Sequence, residues 1–81
     1  MTILDNATWT LVERLRKSRM LADLDQDQIA SAIGVARNTV SNWERGRSEP
    51  SASAFVRWAR VTGVTLEWLA EGVPVNHGSE G

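Results

Sequence analysis

The sequence has no cysteine and a single histidine, His77, among 81 residues. Without thiols it has no disulfides, no thiolate zinc site and no cysteine nucleophile, so the fold has to stand on packing alone, as suits a reducing cytoplasm. One histidine within five residues of the C-terminus cannot furnish a zinc site or a Ser-His-Asp arrangement. Only scattered carboxylates stand beside it, so an enzyme is not expected, and neither is a metal, a cofactor or a small-molecule ligand. Proline occurs only at positions 50 and 74, and no Asn-Gly or Asp-Gly hairpin signal appears. No apolar run approaches the roughly 18 residues of a membrane helix, and Met1 to Thr10 lacks the basic start and apolar stretch of a secretory signal. The expected setting is the cytoplasm, with no membrane partner.

What is present describes one small domain. A hydrophobic fraction of 42% with four tryptophans is too apolar for a disordered chain. A domain this small buries only about 60% of its unfolded surface, so modest stability is expected. Nine basic residues stand against ten acidic ones, for a net charge of −1. All nine basic residues fall between Arg14 and Arg60, where five acids leave a local excess of four positive charges. After Arg60 only Glu67, Glu71 and Glu80 are charged. The chain is therefore a basic middle joined to an acidic end.

Apolar residues recur at three- and four-residue spacings rather than alternating, which predicts an all-α fold. Thr10-x-x-Glu13 has the capping-box form and opens a helix to about Leu21. Asp25-x-x-Gln28 repeats it for a second helix that ends near Ile33, before Gly34. A third runs from about Arg37 to Arg45, stopped by Gly46. Ser51 caps a fourth over Ala52 to Thr62, whose Phe55, Trp58, Ala59 and Thr62 share one face. Thr65 caps a short fifth, Leu66 to Glu71, closed by Gly72. These spans divide the chain into an N-terminal arm (1–9), a compact five-helix domain (10–72) and a tail (73–81) of Pro, Gly, Ser and Asn that is expected to be disordered.

The third helix carries the most information. At 100° per residue, Arg37, Asn38, Ser41, Asn42 and Arg45 fall inside an arc of about 140°, with Val40 and Trp43 opposite. Asn and Arg pair bidentately with adenine and guanine edges in the DNA major groove, which admits one helix. A solvated surface face is the plainer reading. Against it, this face has no acid and is rich in Asn, a poor helix former that stability alone would not select. A short helix, a tight Gly34 turn and then this helix is a helix-turn-helix arrangement.

The run from Leu24 to Arg47, continued by Pro50-Ser51, the Phe55 to Ala59 face, Gly63-Val64-Thr65-Leu66 and Trp68-Leu69, resembles the lambda-repressor and Cro type (XRE-like) helix-turn-helix family of phage and bacterial repressors. The resemblance covers about residues 10 to 72. It implies that Gln26 holds a DNA phosphate beside the second helix and braces the third, and that Arg37, Asn38 and Asn42 reach base edges. It places Val35 and Ala36 against a thymine methyl, and Arg45 and Arg47 on phosphates, unless those two are ordinary exposed cations. Ser41 could contact base or phosphate. Arg19 falls on the apolar arc of the first helix and so requires an anion; Glu44 is the candidate, as the family pairs a similar Arg and Glu, the alternative being an Arg19 that reaches solvent along its stem.

The same resemblance implies a weak homodimer on a palindromic double-stranded DNA operator, completed on DNA, with half-sites about 34 Å apart. Leu66, Trp68, Leu69, Val73 and Val75 offer an apolar surface for that contact, although Trp68 could equally be core. Trp43 and Trp58 face inward, and Trp9 could cover the first cap as a hydrophobic staple. Three departures weaken phosphate approach: Asp23 stands where the family often has Gly, acids crowd the entry to the second helix, and Ala36 replaces a Ser or Thr cap. With a net charge of −1, a shallow salt dependence is expected. The expected function is that of a stand-alone Cro-like or immunity-type repressor, nucleoid-associated when bound. The rival is a protein-interaction module of the same fold, an antitoxin or anti-repressor, using the fifth helix and the tail.

Overall fold

A computed structural model describes residues 9–72. Among them the backbone forms five helices and no strand: α1 Leu11–Leu21, α2 Gln26–Ile33, α3 Arg37–Glu44, α4 Ala52–Thr62 and α5 Leu66–Glu71. Side chains set the starts. The Thr10 hydroxyl accepts from the Glu13 N–H while the Glu13 carboxylate accepts from the Thr10 N–H. Asp25 and Gln28 do the same at α2. Each box satisfies donors that a helix end leaves unpaired. Ser51 and Thr65 cap α4 and α5 through their hydroxyls. Only α3 begins without a side-chain cap, at Ala36. It ends one residue earlier than expected, at Glu44, with Arg45 as C-cap; one residue at a fraying end is an ordinary difference. The expected tail and all but Trp9 of the expected arm lie outside the described residues.

Two turns set how the helices meet. Gly34 ends α2 at φ 82°, and its N–H and that of Val35 both donate to Ala30 O. A Cβ there would meet nothing within 4 Å, so glycine is required by the left-handed backbone and not by space. Asp23, between α1 and α2, takes φ 62° without being glycine. Asp tolerates that region better than most side chains, so the turn forms there without glycine.

The core gathers Leu15 of α1, Ile29 and Ile33 of α2, Val40 and Trp43 of α3, Trp58 of α4, and Trp68 and Leu69 of α5. Trp58 sits at the centre, fully buried, with its ring edge-on to Trp43 at 6.0 Å between centroids. Its indole Nε1–H donates to Ser18 Oγ at 2.9 Å, and the Ser18 hydroxyl donates in turn to Leu15 O. A buried hydroxyl is thereby fully paired.

Burial corrects one expectation. Trp68 is 1% exposed and Leu69 0%, so neither has surface to offer a second chain. The short α5 spends both side chains filling the gap beside α1 and α4, leaving Leu66 as its one large apolar side chain outward. Trp9 meets the edge of Trp68 at 6.5 Å and 79°, with Lys17 Nζ 5.6 Å from its own ring centroid. It thus secures the entry to α1 against α5 as well as lying next to the first cap.

Arg14 was not anticipated by periodicity. It is buried, and it donates from Nε to Leu69 O at 2.9 Å, from Nη2 to Ala70 O at 2.9 Å and from Nη1 to Trp9 O. Burial pushes its guanidinium below the ordinary arginine value. Its counter-charge is the negative end of α5 rather than an acid. We expect Arg14→Met to destabilise the domain by about 1–3 kcal/mol, because α5 carbonyls lose their donors. Arg14→Lys should recover little, since an ammonium lacks the planar fork that reaches three carbonyls. Urea unfolding followed by tryptophan fluorescence would check this; equal stability of all three proteins would refute it.

Candidate nucleic-acid interface

The surface of interest is built around α3. Its inward face buries Val40 and Trp43, and this apolar side fixes the rotation of the helix. The opposite face then presents Arg37, Asn38 and Arg45 to solvent, with Ser41 and Asn42 half-buried along the same side. Ala36, at the N-cap, is exposed, while Val35 packs partly against the core. Arg47 lies exposed in the turn that follows, its N–H donating to Asn42 O at 2.9 Å.

A buried polar junction anchors that helix. Glu44, at the end of α3, has only 5% of its side-chain surface exposed. Arg19 donates to it twice, Nε to Oε2 at 2.7 Å and Nη2 to Oε1 at 2.9 Å, and the third nitrogen, Nη1, donates to Leu24 O at 2.9 Å. Gln26 Nε2 adds a bond to Oε1 at 3.1 Å. The Arg19–Glu44 pair thus joins α1, the α1–α2 connection, α2 and α3. A bidentate guanidinium–carboxylate pair whose third nitrogen is also bonded is the geometry in which burial of two charges is tolerated. Arg19 does not extend to solvent as a free cation. A second brace was not foreseen: Arg57 of α4 donates from Nη1 to Ile33 O at 3.1 Å, closing the C-terminus of α2 just before the turn into α3.

Beside the junction lies an open cleft lined by Arg16, Arg19, Gln26, Arg37, Asn38, Ser41, Glu44 and Arg45. Its one acid, Glu44, is paired internally, so the three exposed arginines, Arg16, Arg37 and Arg45, leave it positive. Such a surface favours a polyanion. Arg16 was missed from the sequence, although its spacing of three from Arg19 puts it on the neighbouring part of α1. Another unforeseen contact is Asp27 of α2, whose Oδ1 lies 3.7 Å from Arg37 Nε.

Of the residues expected to form a dimer surface, Leu66 is exposed, Trp68 and Leu69 are in the core, and Val73 and Val75 lie outside the described residues. The largest exposure of apolar side chains among the described residues is instead at the end of α1, Met20 at 54% and Leu21 at 52%.

The helix-turn-helix family model matches residues 15–69. An uncharacterized HTH-type transcriptional regulator of Haemophilus influenzae is 44% identical over 45 residues, which are 56% of this chain and 19% of that protein. The cryptic phage CTXphi transcriptional repressor RstR of Vibrio cholerae is 30% identical over 63 residues, 78% of this chain and 57% of that protein. The chain therefore spans well under two thirds of either relative. Among solved structures, the P22 c2 repressor in complex with synthetic operator 9T has a TM-score of 0.74 at 25% identity, covering 80% of this chain and 98% of that one.

Proposed function

The chain belongs to the helix-turn-helix family, a family of DNA-binding folds and not of enzymes, and from that premise we propose that it is a sequence-specific transcriptional regulator, a Cro-like or immunity-type repressor that occupies a palindromic operator as a homodimer. The observation that carries this reading is the acid-free outward face of α3, held by the Arg19–Glu44–Gln26 junction beside a positive cleft. Arg37, Asn38 and Asn42 read base edges, and Ser41 contributes to base contact. Val35 and Ala36 meet a thymine methyl. Gln26, Arg45 and Arg47 hold phosphates and set the register without reading sequence, and Arg16 joins them from α1. RstR carries the name of a transcriptional repressor and the P22 c2 repressor was solved with an operator, which supports the same reading. Among the described residues no helix is long and apolar enough to cross a membrane.

The rival reading as a protein-interaction module uses α5 and the tail; of the α5 patch only Leu66 is exposed, and the tail lies outside the described residues.

Selection from a random duplex pool near physiological salt tests the proposal. The wild-type chain should enrich a palindrome with half-sites about 34 Å apart, and Asn38→Ala/Asn42→Ala should lose it. The salt slope on the selected operator should be shallow; a slope implying about eight or more phosphate contacts per protomer would contradict the charge argument. No enrichment by a chain that is folded by circular dichroism would overturn the proposal.

A further inference from the structure

Arg37 stands where its own helix does nothing to orient it. It is the first residue of α3, at the end whose unpaired N–H groups repel a cation. No side chain caps that end, and the first turn contains no acid. The side chain is 64% exposed. A free arginine of this kind samples many rotamers, and fixing one of them costs binding free energy. The carboxylate within ion-pair range of it comes from the neighbouring helix: Asp27 Oδ1, 3.7 Å from Nε.

For the fold Asp27 supplies no more than an acid in the first turn of α2, where the positive helix end favours it. Its side chain is 76% exposed, and the α2 cap is made by Asp25 and Gln28. As a source of DNA affinity it is unfavourable, since it sets a negative charge beside the positive cleft that is to receive a polyanion. Its chemical consequence lies in which part of the guanidinium it engages. The five N–H donors form a planar fork; a carboxylate at Nε leaves the outer pair, Nη1 and Nη2, free as the two parallel donors that match guanine O6 and N7. In water the contact is weak, because both groups are exposed. When a groove closes over it and excludes solvent, the same pair strengthens.

We infer that Asp27 is a specificity-determining residue of the DNA-reading face, positioning Arg37 through Nε for bidentate contact with a G·C pair and giving up overall affinity in exchange. This rests on the proposed DNA-reading function. It makes a prediction in which two quantities move in opposite directions, which a simple change in net charge would not produce. Asp27→Asn removes the charge but keeps the shape. It should bind random duplex about two- to threefold more tightly, as expected when one repulsive charge is lost. It should also lose about fivefold in preference for the selected operator over the same operator with the Arg37-dependent G·C pair changed to A·T, a part of the discrimination that a bidentate pair supplies.

The test uses the full chain, with Kd measured by fluorescence anisotropy at one fixed salt concentration on the selected operator, on that single-pair variant and on random duplex. The proteins compared are wild type, Asp27→Asn, Arg37→Ala and the double variant. The Arg37-dependent position is found as the one whose preference Arg37→Ala abolishes. In the Arg37→Ala background, Asp27→Asn should leave discrimination unchanged while still tightening random binding. Equal discrimination by wild type and Asp27→Asn would overturn the inference while leaving the DNA-reading function standing. A wild-type chain that prefers no duplex would overturn both.

Discussion

Replacing Arg19 by alanine should lower stability by about 3–5 kcal/mol, the cost of removing one partner from a buried ion pair. The loss comes mainly from what is left behind. Glu44 would keep Gln26 Nε2 as its donor but lose both guanidinium bonds, with 5% of its side chain in contact with water. Leu24 O would lose its donor too, loosening the connection in which Asp23 already occupies a left-handed conformation. At roughly 0.05–0.15 kcal/mol per residue, a chain of 81 residues has about 4–12 kcal/mol in all, so the variant should be near the limit of folding. Glu44→Gln tests the other side, leaving a guanidinium facing a neutral amide, and should cost less because the amide oxygen still accepts. The double change Arg19→Met/Glu44→Leu should recover most of the loss, since apolar groups of similar volume can replace a buried pair at little cost. Urea unfolding of the four proteins checks this. An Arg19→Ala midpoint close to wild type would show that the junction contributes nothing.

The second large effect is expected at Trp58. Trp58→Ala should cost about 3–5 kcal/mol, the range for removing a large aromatic from a packed core. Its indole is, with that of Trp68, the largest fully buried side chain, and it touches Trp43 through an edge-on contact. For a domain of 60–100 residues, each kcal/mol lowers Tm by roughly 4–8 °C, so the melting transition should fall by tens of degrees or vanish. Trp58→Phe separates two contributions. It keeps much of the apolar volume and removes the Nε1–H that pairs with Ser18 Oγ, a loss of about 1–3 kcal/mol for a buried acceptor left without its donor. Ser18→Ala in the Trp58→Phe background should then be nearly neutral, because both members of the pair are gone. Thermal melts by circular dichroism decide it: a Trp58→Ala protein within a few degrees of wild type would mean that the core does not depend on this side chain.

Both effects concern parts of the molecule that differ in how far they could be foreseen. Helix starts were legible, because caps are local: Thr10 with Glu13, Asp25 with Gln28, and the hydroxyls of Ser51 and Thr65 each act within three residues of themselves. The inward placement of Val40, Trp43 and Trp58, and hence the outward placement of Arg37, Asn38, Ser41 and Asn42, followed from a 3.6-residue period. Arg19 was legible for the same reason, since a cation on an apolar arc requires a partner. These are properties of one helix at a time.

The rest depends on distances between helices, which no period encodes. Whether Trp68 and Leu69 face a second chain or their own core was decided by how closely α5 docks beside α1 and α4, and it docks closely enough to bury both. Arg14 finds its partners 55 and 56 residues away at the end of α5. The Arg57 bond to Ile33 O, the Trp58 bond to Ser18 and the approach of Asp27 to Arg37 are likewise contacts between helices. By itself the sequence determined which residues form helices, where each begins and which face each turns inward, because capping and amphipathicity act over one or two turns. Only the tertiary structure decided which polar groups pair across helices and which apolar ones remain exposed, because those outcomes depend on close packing of side chains far apart in the chain.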